Sequence, residues 1–389
     1  MGTAIYKEGE SFYVPHFEVK IAGRSLPKDV VRDVMQVSYT DSTDEIDSFE
    51  LVVNNWDAGR GKFKYEPPAD GKYPGMFDPG QKLELWMGYV RNTRLMLRGE
   101  ITTLEPNYPE SGASTLSVRG LNALHGLRRK QHTWSWEKVR DSDIARELGR
   151  LPLSDDKPGL GIEVKINDEA AGKEPEEPFV FMNSQYDIIF LLERARRHGY
   201  TVYLGLDPAD KKKPYLYFGP SDLVRDVTYE LEWGKSLVQF RPTLTTAKQV
   251  QQVTVRGWDR RKNQAIVATA PKDGKMPKVN KDLLDQGVAR AIEGKHEVVV
   301  DRPVFTPQQA ERMAEDLLRN QLKELVKASG ATVGLPDLRA GRRLHIKKLG
   351  PRFDGEYFVT GTTHSIGDAG YRTTFNARRE SELVPGGKK

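Results

Sequence analysis

The chain has 389 residues, 38% of them hydrophobic and 30% charged, and carries a net charge of +5. It contains no cysteine, which excludes a disulfide, a zinc–thiolate site and a cysteine nucleophile. No run approaches the ~20 apolar residues of a membrane helix. The first fifteen residues lack the apolar core of a signal peptide, so no membrane anchoring is expected.

The length allows two to four domains. Its 35 glycines and 23 prolines favour many turns and short strands. Charge is uneven: residues 1–120 hold 14 basic and 18 acidic side chains, whereas 321–389 hold 13 and 7. A basic C-terminal part suits a solvated or interface surface, and is weighed against a nucleic-acid surface.

The first third reads as strands. "HFEVKIAG" (16–23), "VMQVSYT" (34–40) and "SFELVVNNWD" (48–57) alternate in polarity, as do "KLELWMGY" (82–89), "LMLRGEITTLEP" (95–106) and "STLSVRG" (114–120). A Gly/Pro/Lys-rich surface loop is expected over 58–80.

Between 123 and 225 the pattern predicts an α+β module. One helix is expected over 141–149, capped by Asp141 or Ser142. A second is expected over 184–200, starting at Ser184 and ending at Gly199. A hairpin follows in 200–205 and 214–220, around the polar tip "DPADKKK".

After 226 strands return in "VTYELEWG" (227–234), "SLVQFRPTL" (236–244) and "QVTVRGWD" (252–259). A polar loop is expected over 270–287, then a helix over 306–327 with Thr306 and Gln309 as a capping box and Pro307 at its first position. The last strands are "RLHIKKLG" (343–350), "GEYFVTGTTHSI" (355–366) and "YRTTFNARR" (371–379).

Order, rather than letter identity, suggests an internal duplication. Trp56-Asp57 and Trp258-Asp259 each end a strand. Gly80 and Gly341 each precede a Leu-x-(Leu/Ile) strand, and Gly99 and Gly355 each open the next one. In this register "TVRG" (254–257) answers "VVNN" (52–55), and "SVRG" (117–120) answers "FNAR" (375–378). The expected fold is a β-rich α+β one. Two related antiparallel β-barrels, 1–122 and 226–382, enclose the module at 123–225. The second barrel carries an inserted loop and helix at 270–330, and 383–389 forms a tail. Trp56 and Trp258 are expected to superpose and to pack, so that Trp258→Ala lowers stability by a few kcal/mol. Asp57 and Asp259 are expected to bond to backbone amides where strand gives way to turn.

With these elements placed, the chain resembles a known family. "ELWMGY…LRGEITTLEPNYPESGASTLSVRGLNALHGLRR", "VRDSDIARELG", "NSQYDIIFLLERARRHGY" and "GLPDLRAGRRLHIKKLGPRFDGEYFVTGTTHSI" are similar to the late-control protein D family. These are baseplate hub proteins of contractile phage tails and injection machines, and include the hub portion of valine–glycine repeat spike proteins. The resemblance runs over roughly 14–380. It implies a homotrimeric ring in which paired barrels give near-sixfold symmetry. That ring would join the tail tube or its initiator to a threefold central spike, among other baseplate proteins. It would be assembled in the bacterial cytoplasm and carried in a phage tail or injection particle. In the fused spike proteins an OB-fold and a β-helical needle follow the hub. No such repeats precede Lys389, so the spike is expected to be a separate polypeptide.

Catalytic patterns are weak. The seven histidines, His16, His125, His132, His198, His296, His345 and His364, form no His-x-x-x-His or His-Glu-x-x-His pair. There is no Gly-x-Ser-x-Gly elbow and no phosphate loop. Asp141 and Asp143 fit helix capping better than acid–base chemistry. Trp134 and Trp136 suit packing at the barrel–module junction better than stacking on a sugar or base. A structural role without catalysis, cofactor or metal is therefore expected. A cell-wall-degrading enzyme and a nucleic-acid-binding barrel stand as the alternatives.

Overall fold

The computed structural model describes residues 3–4, 14–65, 73, 75–122, 124, 127–128, 130–206, 213–224, 227–260 and 262–380. His125, most of the "DPADKKK" tip and the tail lie outside them.

The chain begins with strands β1 (Pro15–Ile21), β2 (Val34–Ser42) and β3 (Ser48–Asn54). After a long connection come β4 (Lys82–Tyr89), β5 (Asn92–Asn107) and β6 (Thr115–Asn122). Alternate residues of each face inward, so Val37, Leu51, Val53, Leu83, Leu85, Ile101 and Val118 meet in one core.

The middle segment holds β7 (Gln131–Val139), helix α1 (Asp141–Arg150), β8 (Glu163–Ile166), β9 (Glu177–Tyr186) and helix α2 (Asp187–Arg197). It closes with the hairpin β10 (Thr201–Leu206) and β11 (Pro214–Gly219). Ile144 and Leu148 of α1 pack with Ile188 and Leu191 of α2 over a separate core. Both expected caps fall elsewhere. Arg140 and Tyr186 hold the N-cap positions without side-chain caps. Ser184 sits at φ 47° inside β9, and Asp141 is buried in a salt bridge instead. Trp136 stacks on Phe190, ring centroids 5.5 Å apart, and donates from Nε1 to Glu147 at 3.0 Å. The two tryptophans thus serve the module's own core.

The last part opens with β12 (Val227–Glu232) and β13 (Leu237–Leu244). A subdomain follows, made of β14 (Gln252–Asp259), β15 (Gln264–Ala270), β16 (His296–Val299) and helix α3 (Pro307–Lys323). Thr306 caps α3 by accepting the Gln309 amide at 3.2 Å, and Gln309 accepts the Phe305 amide at 3.0 Å. The 270–287 region is not all loop: a helical turn starts at Lys281 and leads into a π-helical turn at 284–288. The chain ends with β17 (Val326–Val333), β18 (Arg343–Lys347), β19 (Gly355–Gly367) and β20 (Gly370–Arg379).

Pairing reveals the repeat. In the first part the order is β2-β3-β6-β5-β4-β1, and in the last β13-β17-β20-β19-β18-β12. The sixth strand alone differs in sense, being antiparallel in β4·β1 and parallel in β18·β12. Two bulges recur at matching rungs. One skips Met35 between Val34 and Gln36 opposite Val53 and Val52, and Val238 between Leu237 and Gln239 opposite Thr332 and Ala331. The other skips Thr102 between Ile101 and Thr103, and Thr360 between Val359 and Gly361. Gly80 donates to the Ile101 carbonyl at 2.8 Å, and the Ile101 amide donates to Gln81 at 3.0 Å. Gly341 donates to Val359 at 2.9 Å, and Val359 to Arg342 at 2.8 Å.

This register corrects the expected one. The strand answering β3 is β17, "VKASGATV", not the strand ending in Trp258-Asp259. Gly99 pairs with Leu83 while Tyr357 pairs with Leu344, so Gly355 stands two residues away from the Gly99 position. "SVRG" answers "TFNA" (374–377), one residue from the expected match.

Candidate functional site: the seam and the free edges

The two repeats share one continuous sheet. β2 and β19 pair antiparallel from Val37↔Ile366 to Ser42↔Gly361. Across this seam the Thr40 and Thr363 hydroxyls meet at 3.1 Å.

Beneath the seam lies a buried polar cluster. Arg339, from the turn before β18, donates to the carbonyls of Pro336 (2.9 Å), Met96 (3.1 Å) and Leu95 (2.9 Å). Its guanidinium lies 4.7 Å from the centre of the Tyr39 ring and 3.9 Å from Asp41 Oδ2. Asp41 accepts the Thr362 amide at 3.0 Å, and Tyr39 donates to Asp47 Oδ2 at 3.2 Å. His364 bonds through Nε2 to the Leu338 carbonyl at 2.9 Å, and through Nδ1 to Tyr371 and Thr373 at 3.0 Å each. Burial pushes the Asp47 carboxyl up to about 7, and the nearby Asp41 charge adds to this. Burial also raises Asp41, against the pull of Arg339, and holds His364 well below the usual histidine range. The first repeat thus supplies buried acids and the second a half-buried cation. Sequence reasoning missed this cluster because its members are far apart in the chain, Asp41 and His364 by 323 residues.

Among the described residues, the counterparts of the seam strands have no strand paired on their outer sides. β13 answers β2, and the end of β5 answers β19. Among the described residues, β13 pairs only with β17, and β5 beyond Ile101 pairs only with β6. Pro242 and Pro106 lie on these two edges. Proline removes a donor from an edge and discourages indiscriminate pairing.

The remaining singled-out residues do not converge. Trp56 forms a two-residue strand with Asp57 against 62–63, its ring 5.4 Å from Phe63. Trp258 stands on β14, outside both repeats, and is 51% exposed, so the expected shared packing role is overturned for it. What the two pairs share is local turn chemistry. Asp57 Oδ1 accepts the Gly59 and Arg60 amides at 3.0 and 3.2 Å, and Asp259 Oδ1 accepts Lys262 N–H at 3.1 Å. His132 meets Asp187 and His198 meets Asp141, each at 2.8 Å. Asp187 also accepts the Gly159 amide, and Asp141 also holds Arg194. These are structural ties inside the middle module. Among the described residues no group of three or more His, Asp or Glu could hold a metal, and no helix is long and apolar enough to cross a membrane.

This architecture is similar to the fold of solved tail proteins and of a type VI secretion system component. The 43 kDa tail protein of prophage MuSo2 from Shewanella oneidensis aligns at TM-score 0.64 and 15% identity, covering 94% of this chain and 98% of that one. A tail protein from Neisseria meningitidis MC58 aligns at 0.60 and 14%, covering 94% and 97%. The Escherichia coli c3393 protein, described as a component of the type VI secretion system, aligns at 0.52 and 13%, covering 95% and 79%. Residues 12–368 match the family model described as the Alg8 N-terminal domain, and the chain belongs to that family. No curated protein matches it in sequence.

Proposed function

We propose that this protein is the structural baseplate hub of a contractile tail or injection machine, of the late-control protein D kind. Each repeat closes as a β-barrel. Three chains form a ring of six similar barrels, which adapts a sixfold tube to a threefold spike. The observation that carries this reading is the seam together with its two unpaired counterparts. If β5 of one copy meets β13 of the next as β19 meets β2 within the chain, every barrel gains two neighbours and the ring closes. The matching register sets Leu104 opposite Leu244, Pro106 opposite Pro242 and Glu105 opposite Thr243. The two missing proline donors then fall on one rung. The role is mechanical, without catalysis or cofactor.

Light scattering tests the assembly, with a mass near three times the 44.0 kDa chain expected. Cysteine substitution tests the register on a cysteine-free background. Glu105→Cys with Thr243→Cys corresponds to the touching pair Thr363 and Thr40, and is expected to form disulfide-linked trimers under mild oxidation. A monomeric mass at tens of micromolar, with no cross-link, would refute the ring.

A further inference from the structure

The subdomain inserted between β13 and β17 presents one sheet face to α3 and the other to solvent. Val253, Val255, Ile266, Ala268 and Val299 face the helix, packed with Ala310, Ala314 and Leu318. The opposite face carries Trp258 (51% exposed), Val267 (59%), Val298 (51%) and, just past β16, Val300 (69%). Cross-strand register makes these neighbours: Trp258 lies opposite Ala265, Arg256 opposite Val267, and Thr254 beside Val298. Four large apolar side chains on one small sheet form a patch, not scattered surface exposure.

The charges around this patch are mostly positive. Arg256 stands in its middle, and Arg260 and Lys262 lie on the β14–β15 turn. Arg302 follows Val300 in the exposed stretch after β16. Among the described residues none of these four cations reaches a carboxylate. Some arginines of the repeats are held by carboxylates, as Arg119 is by Glu50 and Glu105, Arg343 by Glu356 and Glu380, and Arg379 by Asp282. Asp259 turns back onto its own hairpin, and Asp301 stands at the margin.

From this charge pattern we propose that the outer face of the inserted sheet docks an acidic partner polypeptide with an apolar centre. Trp258 is the anchor and Arg256 the central charge contact. Tryptophan and arginine are the side chains that most often dominate such contacts, and unpaired cations select an acidic rim. No residue of this face belongs to the seam strands or to the two edge strands.

The test uses the full chain and fluorescence anisotropy. The probe is a labelled random Glu/Tyr copolymer, compared with polyglutamate and a 20-nucleotide single strand of DNA. The copolymer is expected to bind the wild type more tightly than polyglutamate does. Trp258→Ala and Arg256→Glu should each weaken it at least tenfold, while Lys157→Glu, at an exposed turn of the middle module, should leave it unchanged. Both variants should keep the wild-type oligomeric mass and circular dichroism. Should Trp258→Ala misfold, Arg256→Glu alone decides. The proposal is overturned by no copolymer binding at low salt, or by binding indifferent to these variants. It is equally overturned if DNA binds more tightly and is lost with them, which would assign the face to nucleic acid.

Discussion

The guanidinium of Arg339 lies 4.7 Å over the ring of Tyr39, and the two residues come from opposite repeats. Arg339 also ties three backbone carbonyls, two of them from β5. This one side chain therefore joins both repeats beneath the seam. Arg339→Ala would leave buried acceptors and Asp41 without their cation. A stability loss of about 3 kcal/mol or more in denaturant unfolding is expected. Arg339→Lys should recover little, since an ammonium lacks the planar fork that spans these acceptors.

The same cluster predicts a pH dependence. The Asp47 carboxyl is raised to about 7 in the folded chain, against about 3.9 when unfolded. A raised folded pKa means that the native state holds the proton more tightly. Its stabilisation is complete below the unfolded value and is lost as pH rises through about 7. Asp41, raised by burial, acts in the same sense. Asp141 and Asp222 are lowered despite burial, held by His198 and Arg194 and by Lys323 and Arg319 respectively, so they act oppositely, at acidic pH. His364, held well below the usual histidine range by burial, also acts oppositely as pH falls below about 6.5. Thermal melts should therefore show a higher melting temperature at pH 6.5 than at pH 8. Asp47→Asn should flatten that difference, and an unchanged slope would discount the carboxyl.

Gly80 and Gly341 hold the same position in the two repeats, at φ 93° and 80°. Their surroundings differ. A Cβ at Gly341 would lie 2.6 Å from the Tyr203 ring, whereas at Gly80 the nearest atom is 4.0 Å away. Gly80→Ala should cost about 1 kcal/mol, from backbone conformation alone. Gly341→Ala should cost more, roughly 2–4 kcal/mol, because it also drives β10 of the module away from the second repeat. Equal losses in paired unfolding curves would contradict this.

Gly330 lies directly under the Phe375 ring, where an added Cβ would come within 2.3 Å. Gly330→Ala should destabilise the last repeat by about 1–3 kcal/mol. Adding Phe375→Leu should return part of that loss, giving a non-additive double-mutant cycle.

That glycine also explains why the repeat was only partly legible. β17 reads "VKASGATV", with small residues where a strand usually carries bulky ones. Phe375 from the adjacent strand fills the space, so local propensity gives no sign of it. The strand-like "TVRGWD" carries the stronger local signal although it lies outside both repeats. The glycines at 80 and 341 stood out because a positive-φ turn before an alternating strand is a local feature.

Sequence alone determined the β-rich character, the α+β texture of the middle, the cap of α3 and the order of most strands. These follow from periodicity and turn chemistry within a few residues. Only the tertiary structure decided which strand answers which, because register is set by cross-strand packing between residues far apart in the chain. It alone brought Asp41, Asp47, Arg339 and His364 together, and it alone moved Trp258 from a packing site to an exposed face. Burial and proximity are properties of the folded chain, and Trp-Asp spells the same turn on a repeat strand or on an insertion.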